Sequence, residues 1–318
     1  MAWQFFGRAR WPQRAATFFP GRRTAGASRP HLGLILTAFL ALMTFDVSAQ
    51  FPFNALRFLK PDGQISSSLV TECSGMVQSL RYSGVFWALG DGGSGAAIVP
   101  VTADGKLARG WNGPVAVTGC KNYDWEDLAL DDRGNLIIAD VGNNSGRRKQ
   151  LMLHFTPEPR PGVRSVVPTR SLRVHYADQK EASPDYDCEA VFSAGGRIYF
   201  LTKHRSDSRT RLYRLEGEST SRSNPLHLVD SFDIGGMVTA ADASPDGKRV
   251  AVLTYTMLWV FDYDRSSGSI FRRGIRRTPI FAWQAEAVAW DGNDSLVIAN
   301  EQGQLFRIGL ASMDAVRP

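Results

Sequence analysis

A single unit recurs five times along this chain, and this recurrence constrains the fold more than any other feature. Each copy has a short apolar run, a tight turn, and a second apolar run that ends in polar residues. The turn glycines are Gly84, Gly134, Gly196, Gly247 and Gly292, separated by 50, 62, 51 and 45 residues. Repeats of about 40 to 50 residues with this internal order are typical of β-propellers, in which each repeat forms one four-stranded blade.

The two apolar runs of each unit predict strands A and B of a blade, joined by a hairpin whose glycine adopts the positive φ that tight turns need. Further runs predict strands C at 151–155, 211–215, 258–263 and 305–308, and strands D at 171–176 and 227–232. The Pro-rich piece Pro157–Pro161 is predicted to be a surface loop, which accounts for the 62-residue interval.

The last unit ends after three strands, although folded proteins avoid leaving a strand edge unpaired. We therefore predict that the segment Ile65–Val70 supplies the missing strand and closes the ring. The predicted fold is an all-β β-propeller of five blades, closed by an N-terminal strand. Six blades remain an alternative if this segment pairs elsewhere or if residues 151–183 contain a second unit. A β-sandwich explains the five-fold recurrence less well.

Residues 1–49 have the features of a secretory signal peptide. They contain six arginines and one aspartate, an apolar run from Leu32 to Phe45, and the small-residue cleavage site Val47-Ser48-Ala49. The apolar run is shorter than the roughly 20 residues that a membrane span needs. An uncleaved anchor and a translation start further downstream remain alternatives. We predict a mature chain from Gln50, with an arm at 50–70 and a propeller at 71–318, that is periplasmic or secreted.

The formal net charge is +6, but residues 1–49 contribute +5 of it and the remainder of the chain only +1. This distribution argues against a nucleic-acid partner for the folded protein, and no stable membrane span is expected after the leader is removed. Cys73, Cys120 and Cys188 permit one disulfide in an oxidising compartment, and the sequence does not choose the pair.

Polar residues at two positions of each unit are predicted to converge. In a propeller, strand A lines the central channel, and the loop into strand A opens on the same face as the loop between strands B and C. The candidates near strand A are Glu72 or Ser74, Asp124 with Glu126, Asp187 with Glu189, Thr239 or Asp242, and Glu286. The candidates after strand B are Asp91, Asp140 with Asn143 and Asn144, Lys203 with His204, and Asn300 with Glu301. Trp125 either packs between blades or faces the channel mouth.

Carboxylates drawn together near the axis repel one another unless a positive charge joins them. Glu126, Glu189 and Glu286 are in register, each two residues before the Leu or Val of its strand A. Calcium, which takes six to eight oxygen ligands, suits this set better than zinc, because no pair of His ligands is available. Alternatively, Lys203 neutralises part of the cluster, the acids bond only backbone groups, or a metal-free site takes an organic ligand.

The motifs Asp124-Trp125-Glu126-Asp127-Leu128-Ala129 and Asp140-Val141-Gly142-Asn143-Asn144 resemble those of secreted bacterial β-propellers of the broad NHL, SdiA-regulated and SMP-30/gluconolactonase-like group. The resemblance covers roughly residues 60–310 and is specific mainly in unit two. In the enzymes of that group, Glu, Asn and Asp from several blades hold an axial calcium ion. This implies Glu126, Asn144, Glu189 and Glu286 as metal ligands here. The chain has no match to their catalytic His or Asp, and one predicted blade fewer than most of them.

Two classes of function agree with these features. The first is an extracytoplasmic binding or scaffold propeller that holds a small molecule, an envelope component or a protein on its ring face. The second is a calcium-dependent hydrolase of a lactone, ester or phosphoester, in which the metal polarises the substrate oxygen and Asp124 or Glu126 acts as general base. We favour binding, because the acids explain a metal site more directly than they explain a reaction.

Overall fold

The computed structural model describes residues 59–316 of the chain. The predicted signal peptide at 1–49, its cleavage site and the first residues of the arm lie outside this range. Within it, nearly all regular structure is β-strand, and two single-turn 3-10 helices lie at Pro184–Tyr186 and Leu310–Ser312. No helix in the described part of the chain has the length and hydrophobicity that crossing a membrane requires.

The strands form five blades, each built from four consecutive positions A to D. Blade 1 contains β2 (Cys73–Gln78), β3 (Val85–Gly90), β4 (Ala97–Thr102) and β5 (Val115–Val117). Blade 2 contains β6 (Trp125–Leu130), β7 (Asn135–Asp140), β8 (Leu151–Pro157) and β10 (Arg170–Tyr176). Blade 3 contains β11 (Cys188–Ala194), β12 (Arg197–Thr202), β13 (Arg209–Leu215) and β14 (Asn224–Asp233).

The last two blades follow the same order. Blade 4 contains β15 (Val238–Ala243), β16 (Arg249–Thr254), β17 (Met257–Asp262) and β18 (Ile275–Pro279). Blade 5 contains β19 (Ala285–Asp291), β20 (Ser295–Asn300), β21 (Gln304–Gly309) and, from the other end of the chain, β1 (Gly63–Gln64). The outermost strands carry additions: β9 (Ser165–Val166) pairs with β5, β22 (Asp314–Val316) pairs with β18, and β10 pairs in parallel with β14.

The five A strands form a closed ring. They contact one another in the order β2, β6, β11, β15, β19 and back to β2. Five apolar clusters fill the five spaces between neighbouring blades, including the space between blades 5 and 1. Because both faces of a blade are covered in this way, strands A and B are continuous apolar runs and not alternating ones. The five-bladed ring predicted from the repeat is therefore confirmed.

The hairpins between strands A and B agree with the sequence prediction. Gly84, Gly134, Gly196, Gly247 and Gly292 all have a positive φ, between 65° and 77°. Residues with a side chain are strained in this conformation, so glycine at these five positions lets each pair of inner strands be joined by a short turn.

The ring closes through an N-terminal strand, as predicted, but the closing residues differ. Gly63 and Gln64 pair antiparallel with Leu305 and Gln304 of blade 5. The predicted segment Ile65–Val70 is instead a turn, in which the backbone N–H of Val70 donates to the Ser66 carbonyl. The closing strand therefore begins two residues before the predicted segment and ends at Gln64, and Ile65 packs as a core residue between blades 5 and 1.

The loop between strands C and D of blade 2 is only partly on the surface. Pro157 and Pro161 are exposed as predicted, but Glu158 and Pro159 are buried. The Glu158 carboxylate reaches blade 1, where it accepts hydrogen bonds from the indole N–H of Trp87 at 2.8 Å and the backbone N–H of Arg81 at 3.1 Å. The 62-residue interval between Gly134 and Gly196 thus includes a loop that is hydrogen-bonded to the neighbouring blade.

The three cysteines do not form a disulfide. Cys73 and Cys188 are buried in the A strands of blades 1 and 3, and Cys120 is half-buried in the loop that enters blade 2; all three are free thiols. Burial, and then the charges of Glu286 and Asp127, raise the pKa of Cys73 to about 12. Cys73 is therefore protonated and unreactive at neutral pH.

Candidate acidic metal centre

A β-bulge recurs at the second residue of every A strand. The pairing of each A strand with its B strand shifts register between the first and third residues, which leaves the second residue without a partner. Such bulges re-aim a side chain and are common next to functional sites. The bulged residues are Ser74, Glu126, Glu189, Thr239 and Glu286, and all five are buried. The structure therefore places the three predicted glutamates at one equivalent position of three blades.

Two of the five bulged residues fasten neighbouring blades. The Ser74 hydroxyl donates to the carbonyl of Trp125 at 3.2 Å, and the Thr239 hydroxyl donates to the carbonyl of Ala285 at 2.9 Å. Each acceptor is the first residue of the next A strand. An ionised glutamate has no proton to donate in this way, so the remaining three positions need other partners.

Glu189 and Glu286 have such partners inside the protein. The Glu189 carboxylate lies 3.0 Å from the Lys203 ammonium and 3.7 Å from the Arg205 guanidinium. The Tyr255 hydroxyl donates to Glu286 at 2.7 Å, and the Lys203 ammonium lies 5.3 Å from the centre of the Tyr255 ring. Lys203 therefore neutralises part of the acidic cluster. This is one of the alternatives that the sequence analysis left open.

Glu126 differs from the other bulged residues. It is 4% exposed, and no group among residues 59–316 donates a hydrogen bond to its carboxylate. Its oxygens instead face Asp124 and Asp91, and one carboxylate oxygen from each of the three residues lies within 4.8 Å of the others. Three acids without a cation at this separation repel one another, so this group has the composition and spacing of a cation site.

The loop after strand B of blade 2 permits this approach because it contains glycine. A Cβ atom on Gly142 would lie 2.1 Å from Glu126 Oε1 and 2.5 Å from Asp124 Oδ2. Any other residue at position 142 would push the two carboxylates away. The backbone N–H of Gly142 also donates to the Asp124 carbonyl at 3.1 Å, which holds the two loops together.

Burial and mutual repulsion raise the pKa values of the acids in this cluster. The pKa of Asp91 rises to about 6, chiefly because of burial, with smaller contributions from Asp124, Glu286 and Glu72 and an opposing contribution from the Gly92 N–H. Burial, Glu189, Asp91 and Asp124 raise the pKa of Glu126 well above its usual range. Burial also raises the pKa of Asp124, which Arg148 partly offsets. A bound cation would reverse these shifts by stabilising the charged forms.

The predicted metal set is brought together only in part. Of Glu126, Asn144, Glu189 and Glu286, only Glu126 belongs to the three-acid cluster. Asn144 is exposed and accepts a hydrogen bond from Arg205, while Glu189 and Glu286 are bonded to Lys203 and Tyr255. Asp91 and Asp124, which were predicted as ligand-binding residues, take the other two places beside Glu126.

The polar residues at the ends of strands B have a different role from the residues that follow them. Asp140 and Asn300 are the last residues of β7 and β20 and are buried. Asp140 accepts from the Asp124 N–H at 3.1 Å and pairs with Arg148, and Asn300 accepts from the Gln304 N–H at 2.8 Å. Because side chains alternate along a strand, the next residue lies on the ring face. These next residues are Asp91, Lys203, Tyr255 and Glu301; in blade 2 the equivalent residue, Val141, is instead buried in the apolar cluster between blades 2 and 3.

Asn143 and Asp187 form a bridge between blades 2 and 3. The Asn143 N–H donates to Asp187 Oδ1 at 2.7 Å, and Arg205 donates to Asp187 Oδ2 from Nη2 at 2.7 Å. The Asn143 side-chain oxygen accepts from the Arg148 N–H at 2.8 Å. Both residues are buried, and these bonds position the loop beside Glu126, although the side-chain NH2 of Asn143 is buried without a hydrogen-bond partner among the described residues.

His204 and Trp125 are enclosed by the protein. His204 is buried, and its Nδ1 lies 2.6 Å from Asp207 Oδ1. Trp125 is fully buried among the apolar residues between blades 1 and 2, with its indole N–H donating to the Lys121 carbonyl at 3.2 Å. Trp125 does not face the channel mouth, and the packing alternative is the correct one for it.

Asp242 lies at the opposite end of the channel. It follows the bulge by three residues on β15 and accepts a hydrogen bond from the Trp290 N–H at 2.9 Å. Together with Asp131 and Asp246 it lines a recess of about 350 Å³ formed by the far ends of the A strands. Asp242 is therefore not brought to the face that holds Glu126, and this recess is separate from the three-acid cluster.

Sequence reasoning missed Tyr255 as a member of the site. Tyr255 directly follows β16 and so occupies in blade 4 the position of Asp91, Lys203 and Glu301 in blades 1, 3 and 5. Aligning the five units on the ends of their strands B would have found it. Asp127, recognised only as part of an acidic motif, fills the centre of the ring and accepts backbone hydrogen bonds from Val191 at 2.9 Å and Ala241 at 3.3 Å.

Comparison with known proteins adds little to this geometry. No protein-family model and no curated protein matches the chain by sequence. Among solved structures, an aldose sugar dehydrogenase from Streptomyces coelicolor in its PQQ-bound form is similar at a TM-score of 0.42 and 11% identity, covering 80% of this chain and 97% of that one. Hydrazine synthase from Kuenenia stuttgartiensis is similar at 0.42 and 9%, covering 74% and 70%.

A chain of the mitotic checkpoint complex is similar at a TM-score of 0.37 and 14% identity, covering 74% of this chain. This chain spans 63% of that protein's length. Similarities at this level carry no argument about activity, cofactors or partners. The fold assignment rests on the five blades and the closed ring described above.

Proposed function

We propose that this protein is an extracytoplasmic binding propeller whose acidic ring face holds one divalent cation, Ca²⁺, between Asp91, Asp124 and Glu126. The observation that supports this proposal most directly is that the five bulged residues differ in their partners. Four of them have partners inside the protein, whereas Glu126 is buried without a donor and faces two further carboxylates. A buried charge without a partner is costly, and a cation between these three acids would remove that cost.

The ligand chemistry favours calcium over softer metals. The three residues offer only carboxylate oxygens, which suit hard cations such as Ca²⁺. Three carboxylates leave several coordination positions for water or for a ligand, because calcium takes six to eight oxygens. A cation held in this way on an open face can bind a further molecule through those positions.

Binding is supported over hydrolysis by the state of the neighbouring groups. Lys203 and Tyr255 contact Glu189 and Glu286, and the side chain of His204 is enclosed. Lys203 and Tyr255 are thus occupied by internal partners, and the buried His204, bonded to Asp207 through Nδ1, is closed to a substrate. A calcium-dependent hydrolase of a lactone, ester or phosphoester is the second candidate, with the half-buried Asp124 as the base.

Calcium titration of matched variants tests the site. We expect about one Ca²⁺ per chain in isothermal titration of the wild type. Glu126→Gln should weaken affinity at least about tenfold, which corresponds to about 1.4 kcal/mol. Glu286→Gln changes the same bulge position in blade 5 but keeps an acceptor for Tyr255, so its affinity should stay within about threefold. Equal losses in both variants, or no binding by the wild type at millimolar calcium, would contradict the proposal.

We also propose that the chain is exported and belongs to the broad NHL, SdiA-regulated and SMP-30/gluconolactonase-like group. The leader composition supports export, and the acids at the strand A bulges support the grouping. N-terminal sequencing of the chain recovered from a bacterial periplasm or medium should begin at Gln50. Recovery of the intact leader on cytoplasmic protein would contradict export.

A further inference from the structure

Two large aromatic side chains are exposed on the face that carries the acidic cluster. Trp283 is 78% exposed and Tyr123 is 67% exposed. Each lies two residues before a strand A, Trp283 before β19 in blade 5 and Tyr123 before β6 in blade 2. The other tryptophans in the described part of the chain are buried. Trp283 is therefore an exception among the described tryptophans, because its side chain is exposed to solvent on the face that carries the acidic cluster.

Blade 1 lies between these two aromatic residues, because its A strand contacts those of blades 2 and 5. Its loops contribute Glu72 and Asp91, and blade 5 contributes Glu301. The backbone holds these acids in place: the Asp91 N–H donates to the Glu72 carbonyl at 2.9 Å, and the Glu301 N–H donates to the Gln284 carbonyl, next to Trp283, at 3.0 Å. The aromatic rings and the acids thus form one rim that extends from blade 5 across blade 1 to blade 2.

The charge of this rim is one-sided in blades 1 and 5, whose loops on this face contain acids but no Lys, Arg or His. The cations of the face lie in blades 2 and 3, where Arg148 pairs with Asp140 and lies 5.9 Å from the centre of the Tyr123 ring, Lys203 pairs with Glu189, Arg205 pairs with Asp187, and Lys121, Arg147 and Lys149 are exposed. Among the described residues, no Lys, Arg or His side chain lies within salt-bridge distance of the other acids of the rim, which are Glu72, Asp91, Asp124, Glu126 and Glu301. One divalent cation at the three-acid cluster would leave Glu72 and Glu301 uncompensated.

These acids already disfavour one another's charges. Burial, followed by the charges of Glu286, Glu72 and Asp91, raises the pKa of Glu301 to about 7. A negative face repels anions such as phosphate esters and attracts cations. Exposed tryptophan is the best side chain for cation–π contact with an ammonium or guanidinium group. The acids are spread over three blades, so one small organic cation would leave most of them uncompensated, whereas a peptide with several positive charges would reach them together.

We propose that the rim between Trp283 and Tyr123 binds a Lys- and Arg-bearing peptide segment of a partner protein. Trp283 stacks against one cationic side chain, and Glu72 and Glu301 accept hydrogen bonds from it or its neighbour. This inference rests on the proposed binding function but does not depend on calcium. The partner chemistry follows from the charge and the exposed rings, and a neutral glycan stacking on the same rings is the competing outcome that the experiment separates.

Binding to three probes tests the proposal directly. The probes are a labelled octapeptide that alternates Gly with Arg and Lys, the same peptide with Gln in place of Arg and Lys, and a neutral hexasaccharide. Binding to the full chain is measured by anisotropy in 0.15 M salt, once with calcium and once with a chelator. We expect the cationic peptide to bind in both buffers and the Gln peptide and the hexasaccharide not to bind.

Matched variants separate a specific site from general attraction between opposite charges. Trp283→Ala and Glu301→Gln should each weaken peptide binding by about threefold to tenfold. Leu228→Ala removes a half-exposed apolar side chain in blade 3, and Asp132→Asn removes an exposed acid in the turn between strands A and B of blade 2; neither should change affinity by more than about twofold.

The outcomes distinguish this inference from the calcium proposal. Unchanged affinity in Trp283→Ala, equal binding of the Gln peptide, or binding of the hexasaccharide in its place would overturn it. If the peptide binds in chelator but the wild type takes up no calcium, then the calcium site fails and the peptide rim stands. If calcium binds at Glu126 but no probe discriminates the Trp283 variant, then the rim fails and the metal site stands.

Discussion

Replacing Asp127 by alanine is expected to lower the free energy of unfolding by about 3 to 5 kcal/mol, because several buried backbone donors would lose their acceptor. The Asp127 side chain is completely buried at the centre of the ring. One oxygen accepts from Leu128 at 2.8 Å, and the other accepts from Val191 of blade 3 at 2.9 Å and from Ala241 of blade 4 at 3.3 Å. This one carboxyl group therefore joins three blades across the axis.

Urea unfolding of the variant and two controls checks this expectation. Asp127→Asn keeps one oxygen acceptor and should lose less than the alanine variant. Asp132→Ala removes an exposed acid five residues along the chain and should change stability by less than about 0.5 kcal/mol. A loss below about 1 kcal/mol in Asp127→Ala would show that the ring does not depend on this group.

Replacing Lys203 by methionine is expected to have an effect of similar size, because it removes one partner of a buried ion pair. Such changes typically cost about 3 to 5 kcal/mol, since the remaining charge is left buried and unpaired. The ammonium lies 3.0 Å from the carboxylate of Glu189, which is itself buried. Burial alone would lower the pKa of Lys203, but Glu189, Tyr255 and Glu286 together raise it well above its usual value, so Lys203 is charged at neutral pH.

The loss should depend on pH with a defined sign. Burial raises the pKa of Glu189, and the Lys203 ammonium opposes this shift. Without Lys203 the folded-state pKa rises further above the unfolded value, so the folded state binds more protons and its stability falls as pH increases. We expect Lys203→Met to be more destabilised at pH 8 than at pH 5. The double variant Lys203→Met with Glu189→Gln should regain most of the loss.

Lys248→Met is the control for the lysine variant, because Lys248 is exposed and its contact with Asp246 is at the surface. It should change stability by less than about 0.5 kcal/mol at either pH. A Lys203 variant that unfolds like the wild type at both pH values would mean that Glu189 is not charged in the folded protein.

The sequence predicted the fold well because the repeat is read from features that depend on local backbone chemistry. Turn glycines with positive φ and continuous apolar runs identify strands A and B, and five such units require five blades. The sequence predicted the closing strand at Ile65–Val70 because the last unit lacks a fourth strand and this segment begins and ends with apolar residues. The actual strand, Gly63–Gln64, is set by pairing with Leu305 and Gln304, a contact between chain ends that local patterns do not contain.

The sequence predicted which face of the ring carries the site, but not which residues form it. The register of Glu126, Glu189 and Glu286 identified the bulge position correctly. What separates Glu126 from the other two is the residue that follows a strand B. Lys203 follows strand B in the blade of Glu189, and Tyr255 follows strand B in the blade next to that of Glu286, whereas blade 2 has the apolar Val141 at this position. Asp140 and Asn300 were predicted on the face because they follow apolar runs, but their side chains bond the loop that follows each strand, Asp140 to Arg148 and Asn300 to Gln304.

The most direct test of the cation site is the metal content of the purified protein, combined with thermal melting before and after chelation. We expect about one calcium ion per chain, bound by Asp91, Asp124 and Glu126. Glu189 needs no metal ion because it is paired with Lys203, so the three-acid cluster is the one candidate cation site among the described residues. Removing the ion should lower the melting temperature, and restoring calcium should recover it. Absence of bound metal together with a melting temperature that chelator and calcium leave unchanged would contradict the account.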